Sequence, residues 1–418
     1  MQIKGFCKKE GVGAVFEDIY LVSGKRTPFG KLNGTLSSVS PTDLGILSSR
    51  AAIAASGIPA NEIDQTIVAN IGQSSADSFF LPRHISLYSG VRTEAPALLV
   101  QRICGSGIEA IGKAAEEIAL GKARVVLACG TETMSRFPLV SYGMRQGFQL
   151  GKPDFIDLLW EALGDTAAVP MGHTADNLAK KYKLTRQEVD EFSKQSQDRY
   201  FQACNDGFFK DELIGVESKN NLETPGLKPR SYRTRAREIF SQDENPRKTT
   251  LEDLAKLPYI FTKEGPTTAG SACGIVDGAC SVLLASKEFV STHGLKVLGK
   301  IRGIASVGVD PYLMGIGPAP AIRLLLSQCN YSTNDINLFE INEAFSAQCL
   351  AVTRDLELDL NKVNIHGGAI AMGHPLAASG CRLVLTGFIS LKKSSQRLAV
   401  ASACIGGGQG VAMLIEAT

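Results

Sequence analysis

Short apolar runs alternate with longer segments of helical period near both ends of the chain, and an alternation met twice in that form restricts the fold to α/β halves of similar build. In the first third the order is an apolar run at residues 19–22, a helical pattern at 43–55, runs at 63–70 and 97–103, a second helical pattern at 108–120 and a strand at 124–129. Ile108, Ile111, Ala115 and Ile118 share one face of that second helix, so Cys104-Gly105-Ser106-Gly107 is a strand-to-helix turn. The last third follows with a strand at 297–301, a helix at 321–329, a strand at 336–341, a glycine-rich turn before Pro375, and a strand pair at 398–403 and 411–415. Order and length of elements, rather than residue identity, define this repeat. With 418 residues the chain has room for two to four structural units of roughly 100–200 residues each.

Between the two alternating regions, residues 138–270 are less apolar, richer in charge and without strand alternation, which reads as an inserted subdomain. Thr185 with Glu188 has the form of a capping box opening a helix to about residue 204, with Val189, Phe192 and Tyr200 as its buried contacts. Further on, Lys228, Arg230, Arg233, Arg235 and Arg237 crowd into ten residues without an acid. Such a run is either a solvated face or a site for phosphates. The whole chain balances 44 Lys and Arg against 42 Asp and Glu, which excludes a dedicated nucleic-acid binder. No apolar run is long enough to span a membrane. The ten cysteines contain no CxxC pair, so zinc-site spacing is absent and no metal is expected. Residues 1–20 mix Lys8, Lys9, Glu10, Glu17 and Asp18 with no apolar leader core, so the chain reads as cytoplasmic with reduced thiols.

Cys104, Asn342, His374 and Cys404 fall at or just beyond the carboxyl ends of expected strands, where open α/β sheets gather ligands. At Cys104 a helix begins, and its N–H groups and dipole should favour an anion and lower the thiol pKa, as suits a nucleophile. The same position also suits a small buried thiol in a tight turn. His374 follows Gly373, which opens its approach, and precedes Pro375, which suits a first helical position. It is a base or a helix-capping core histidine, whereas His366 upstream reads as incidental. Cys404 meets bare backbone at Gly406-Gly407-Gly408. Asn342 can orient a water or donate to an oxyanion, and Glu343 beside it suits a structural acceptor.

Together these segments resemble the thiolases over essentially the whole chain. Ser23-Gly-Lys-Arg-Thr-Pro-Phe-Gly30, Cys104-Gly-Ser-Gly107, Gly130-Thr-Glu-Thr-Met-Ser135, Met314-Gly-Ile-Gly-Pro318, Asn342-Glu-Ala-Phe345, Gly367-Gly-Ala-Ile-Ala-Met-Gly-His-Pro375 and Cys404-Ile-Gly-Gly-Gly408 occur in the family's order. The resemblance implies the thiolase fold, two topologically similar α/β halves of mixed sheets with helices between and outside, plus an inserted loop domain. The halves would be residues 1–133, completed by 276–296, and 297–418, with the CoA-binding loop domain at 134–275.

The chemistry implied by the resemblance is reversible acyl transfer between acetyl-CoA and an acyl-CoA, with no tightly bound cofactor. Cys104 would carry the acyl group as a thioester, His374 would take its proton, and Cys404 would be the acid/base at the α-carbon. Asn342, through a water, and His374 would form one oxyanion hole; the amides of Cys104 and Gly406 would form the other. Met171, Phe261, Ala269 and Phe345 would line the pantetheine slot, Arg247 would stand near the nucleotide end, and the run from Lys228 to Arg237 would serve the phosphates. A homodimer or homotetramer is implied. Cys273 stands where the family usually has a serine that bonds pantetheine, and a thiol donates weakly. Pro170 stands where short-chain members often carry a histidine. Acetoacetyl-CoA formation or thiolysis leads, with degradative thiolysis of longer 3-ketoacyl-CoAs as the rival. A decarboxylating ketoacyl synthase, typically Cys-His-His or Cys-His-Asn, is disfavoured by Cys404, and a non-catalytic CoA-binding protein would need no paired cysteines.

Overall fold

The apolar runs of the first third form strands β1 (Gly11–Arg26), β2 (Gln65–Ala69), β3 (Ala97–Val100) and β4 (Val125–Thr133). The chain returns to them after the insertion as β5 (Val276–Ser286). The last third supplies β6 (Gly299–Gly308), β7 (Leu338–Ile341), β8 (Leu398–Ile405) and β9 (Gln409–Ala417). These elements belong to a computed structural model, which describes residues 3–418. Several strands exceed their apolar runs, because β1 continues through Glu17, Asp18 and Lys25, polar residues that hydrophobic patterning passes over.

The first half orders its strands β3-β2-β4-β5-β1 and the second β7-β8-β9-β6. In both, the last strand lies antiparallel between the first strand and the one before it, while the remaining neighbours run parallel. The repeat is therefore one of topology. β1 and β6 also pair antiparallel, joining the halves edge to edge. Every residue of β4 is buried, which accounts for its continuous apolar run, since a strand covered on both faces has no polar side to alternate.

Helices α1 (Pro41–Ser56) and α2 (Ser106–Ala119) belong to the first half, α3 (Met171–Tyr182) and α4 (Arg186–Asn205) to the insertion, and α5 (Pro318–Gln328), α6 (Ser346–Asp355) and α7 (Leu376–Ser394) to the second half. α7 is buried continuously from Leu376 through Leu391, so it is a core helix rather than an amphipathic surface one. It crosses α2 at two glycines. A Cβ on Gly107 would stand 2.5 Å from the Ala377 carbonyl oxygen, and one on Gly380 would stand 2.3 Å from the Ile108 amide nitrogen, so only glycine lets the two backbones approach. Since α2 begins beside Cys104 and α7 beside His374, this crossing brings the two turns together.

The insertion holds two short ribbons, Leu139–Val140 with Ile156–Asp157 and Lys219–Asn221 with Ser231–Arg233. Its helix α4 opens on the capping box of Thr185 and Glu188. A buried ion cluster ties it to β1: Arg26 Nε donates to Glu212 at 2.6 Å and its two Nη atoms reach Asp243 at 2.7 and 3.0 Å. All three side chains are excluded from solvent, and Thr386 and Tyr200 donate to the same carboxylates. Arg26→Ala leaves two buried carboxylates without their cation, and a loss of about 3–5 kcal/mol is expected in denaturant unfolding. A loss under 1 kcal/mol would show that the carboxylates accept protons instead.

Candidate active site

Cys104 lies in a single 3-10 turn, Ile103–Gly105, between β3 and α2. Ile103 holds φ at +42°, a left-handed conformation costly for a β-branched residue. This turn ends β3 at Val100, short of the run 97–103. Ser106 locks it, accepting from the Arg102 amide and donating to the Ile103 carbonyl, both at 2.7 Å. The N–H groups of Gly406 and of Cys104 itself both reach the Cys104 sulfur. A Cβ on Gly406 would stand 2.4 Å from Met171 Cε, so the end of the methionine side chain would have to move for any larger residue there. Burial outweighs these donors and pushes the thiol up to about 11. The lowered pKa expected from the helix N-terminus is thus corrected. At 3% exposure, desolvating a thiolate costs more than two N–H groups return.

His374 comes from the second half, its backbone N–H donating to the Gly274 carbonyl at 2.9 Å. Its ring is buried, with Nδ1 2.5 Å from Ser379 Oγ and Nε2 3.3 Å from Asn342 Nδ2. Burial, reinforced by the Arg382 cation, pushes its pKa down to about 3. The imidazole is therefore neutral through the working pH range. Pro375 is the helix N-cap with extended ψ, and α7 begins at Leu376, one residue later than expected.

Cys404 is the penultimate residue of β8, which runs on through Ile405, and is fully buried. Burial raises its thiol well above the ordinary range, and the neighbouring sulfurs of Cys104 and Cys273 add to the rise. Burial likewise pushes Cys273 up to about 12, with Cys104 as the next cause. Cys104, Cys273, His374 and Cys404 line one cavity of about 210 Å³ together with Met171, Phe261 and Phe345. The two phenyl rings meet edge to face at 5.8 Å. Asn342 stands behind this wall, at His374 Nε2, and its Oδ1 is buried without a partner among the described residues. Gly406 meets the site through its amide alone. Arg247 and Ala269 lie outside the cavity, in an adjoining depression that shares Ala272 with it.

The remaining walls include Met134, Trp160, Leu163, Pro170, Met314 and Leu376. Sequence reasoning missed Trp160, Leu163 and Leu376, and the available signal was an apolar Leu158-Leu159-Trp160 inside an otherwise polar insertion. It also missed Ser379, whose hydroxyl has no distinguishing pattern around it. Glu343 is a structural acceptor, taking bonds from Ser196 Oγ, Asn364 Nδ2 and the Ile370 amide. His366 stacks on Phe208 with centroids 3.6 Å apart, away from the cavity.

Lys228, Arg230, Arg233, Arg235 and Arg237 line neither the cavity nor the depression. Arg230 is ion-paired with Asp43 and, at 2.8 Å, with Asp77; Arg235 donates to the Asn33 carbonyl at 2.8 Å. The Lys228 carbonyl accepts from Tyr88 at 2.7 Å. Among the described residues Arg230 alone of the run pairs with acids of the first half, while Lys228, Arg233, Arg235 and Arg237 are exposed.

The family model of the thiolase N-terminal domain matches residues 19–288, and that of the thiolase C-terminal domain matches 295–417. The chain is 41% identical over 408 residues to a mitochondrial 3-ketoacyl-CoA thiolase of Homo sapiens, covering 97% of this chain and all of that one. It is 39% identical over 411 residues to an acetyl-CoA acetyltransferase of Syntrophomonas wolfei, covering 96% and 99%. The crystal structure of human mitochondrial 3-ketoacyl-CoA thiolase in complex with CoA matches with a TM-score of 0.90 at 41% identity, over 96% of this chain and 98% of that one.

Proposed function

The chain belongs to the thiolase family, and on that premise we propose that it moves acyl groups reversibly between acetyl-CoA and an acyl-CoA through a thioester on Cys104. The observation that carries the residue assignments is the convergence of Cys104, His374 and Cys404, from three distant turns, on one cavity. Incubation with acetyl-CoA followed by mass spectrometry tests it, with one acetyl group expected and located on Cys104.

The protonation states favour one order of events in the cleavage direction. Cys104 and Cys404 rest as thiols and His374 as a neutral base. As the Cys104 sulfur attacks the keto carbon of a 3-ketoacyl-CoA, its proton passes to His374 Nε2, and the N–H groups of Cys104 and Gly406 receive the developing oxyanion. The carbon–carbon bond breaks toward acetyl-CoA, whose enolate carbon takes the Cys404 proton. His374 Nε2–H and Asn342, through a water, meet the enolate oxygen. Incoming CoA then gives its thiol proton to the Cys404 thiolate and attacks the thioester, and His374 returns its proton to Cys104. Condensation runs the same steps backwards.

The cavity favours the longer-chain reading over strict acetoacetyl specificity, because apart from His374 and the Trp160 indole its lining side chains are carbon and sulfur alone. Each methylene buried there stabilises by about 0.8 kcal/mol, or roughly fourfold in kcat/KM. Thiolysis of 3-ketoacyl-CoAs is expected to quicken by that factor per carbon from C4 until the pocket fills; a flat or falling series would restore the acetoacetyl reading. Cys273→Ser is expected to lower the KM for CoA several-fold by supplying a stronger donor to pantetheine. An unchanged or higher KM would place pantetheine elsewhere.

We assign residues 134–275 to CoA binding, with Arg247 and Ala269 at the depression beyond the cavity. A dimer or dimer of dimers is supported by β3, whose outer edge is unpaired among the described residues. Ten free cysteines support a reducing compartment such as the cytoplasm. No helix among the described residues is long and apolar enough to cross a membrane.

A further inference from the structure

We propose that Ser379 is a positioning residue that holds His374 as the Nδ1–H tautomer, leaving Nε2 bare to act as the base. The inference rests on the acyl-transfer reading above. Ser379 lies in the first turn of α7 at 1% exposure, with its Oγ 2.5 Å from His374 Nδ1 and 3.3 Å from the Pro375 carbonyl oxygen. A hydroxyl has one proton to give. The Pro375 carbonyl, which also accepts from the Ala378 and Ser379 amides at 2.8 and 3.1 Å, can take the Ser379 proton, which turns a lone pair to Nδ1 and leaves the ring hydrogen there. On the other side of the ring Asn342 Nδ2 stands 3.3 Å from Nε2. An amide nitrogen only donates, so the ring atom facing it is bare.

The Asn342 donor favours a bare Nε2, and Ser379 supplies the acceptor that the Nδ1–H of that tautomer needs. The alternative would turn the Ser379 proton onto Nδ1 and away from Pro375, and would set Nε2–H against the Asn342 N–H. Since the ring is neutral, only one proton needs placing. Ser379 is also a hydroxyl where a carboxylate would have held an imidazolium in place. The proton that His374 takes from Cys104 meets no buried anion at Nδ1, and so stays free to return when the thioester is broken.

The test uses the full-length protein labelled with ¹⁵N-histidine and free of substrate, with the His374 signals assigned by their loss in His374→Asn. Long-range proton–nitrogen couplings are expected to show hydrogen on Nδ1 and none on Nε2. In Ser379→Ala the Nε2–H form should appear, and single-turnover acetylation of Cys104 should slow by about 10–100-fold with the KM for acetyl-CoA unchanged. Ser379→Thr, which keeps the hydroxyl, should restore both. A wild type carrying hydrogen on Nε2 overturns the proposal, as does a Ser379→Ala variant with unaltered tautomer and rate. If Ser379→Ala does not fold, Ser379→Cys decides, since a weakly accepting thiol at Nδ1 should give a mixture of tautomers, and an unaltered tautomer and rate there overturn the proposal. Wild-type protein that takes up no acetyl group refutes the acyl-transfer reading instead, and the couplings still report on Ser379.

Discussion

Cys104→Ala is expected to take up no acetyl group from acetyl-CoA and to lose about 10⁴-fold or more in kcat for thiolysis, while its unfolding midpoint stays close to wild type. The size of the effect follows from chemistry that no neighbour can replace. Only the sulfur that receives the N–H groups of both Cys104 and Gly406 has an oxyanion site already formed around the carbonyl it attacks. Cys404 and Cys273 share the cavity, but each of their sulfurs is met by its own backbone N–H without the second donor that Gly406 gives Cys104. The fold should tolerate the change, since a buried thiol replaced by a methyl removes one atom and strands no charge. Intact-protein mass and single-turnover kinetics check the prediction. An acetyl group appearing on Cys273 or Cys404 in the variant, at the wild-type rate, would move the nucleophile.

The same environment sets the pH response. With Cys104 pushed up to about 11 and His374 down to about 3, proton transfer accompanies the attack rather than preceding it. For stability the sign is set by His374: the unfolded ring takes a proton near its ordinary value of 6.5 and the folded ring only near 3. Folding stability from this group is therefore complete above about pH 6.5 and is lost as pH falls toward 3.

The sequence made much of the site legible because thiol, imidazole and amide chemistry each need a particular residue type beside bare backbone. Cys104 and His374 stand next to glycines and Cys404 two residues before one. The strands before Cys104 and around Cys404 could be placed from apolar runs, whereas His374 follows the short helix Ala369–Met372 and not the strand end expected for it. The topological repeat was visible only as order and length, because burial constrains hydrophobicity and not identity. What could not be read was set by distant partners. The acids that meet Arg230 lie in the first half, at Asp43 and Asp77, so the one half-buried member of the run is paired by residues distant in sequence. The Cys104 thiol was misjudged for a related reason, since helix position is local and legible while burial is a property of the assembled halves. Ile103 gives no sign of its left-handed backbone, because an isoleucine before a turn ordinarily ends a strand.

Cys404→Ala separates the two half-reactions and should do so almost completely. Acetylation of Cys104 needs its sulfur, the base at His374 and the amides around the carbonyl, and none of these is Cys404. The variant is therefore expected to acetylate within a few-fold of the wild-type rate. Exchange of the acetyl-CoA methyl protons with deuterated solvent, and carbon–carbon bond formation or cleavage, both require an acid/base at the α-carbon; they are expected to fall by about 10⁴-fold, with the change in kcat rather than KM. Burial helps this role, because a thiol held well above the ordinary range stays protonated until a strong base, the enolate carbon, is formed beside it. In reverse, the thiolate so formed is basic enough to remove a proton from carbon once the thioester oxygen is held by hydrogen-bond donors. A protein that merely binds CoA would show neither half-reaction, and a ketoacyl synthase would retain condensation from a malonyl thioester with loss of carbon dioxide. Proton exchange that persists at the wild-type rate in Cys404→Ala would remove this cysteine from the mechanism and leave His374 as the only base within the cavity.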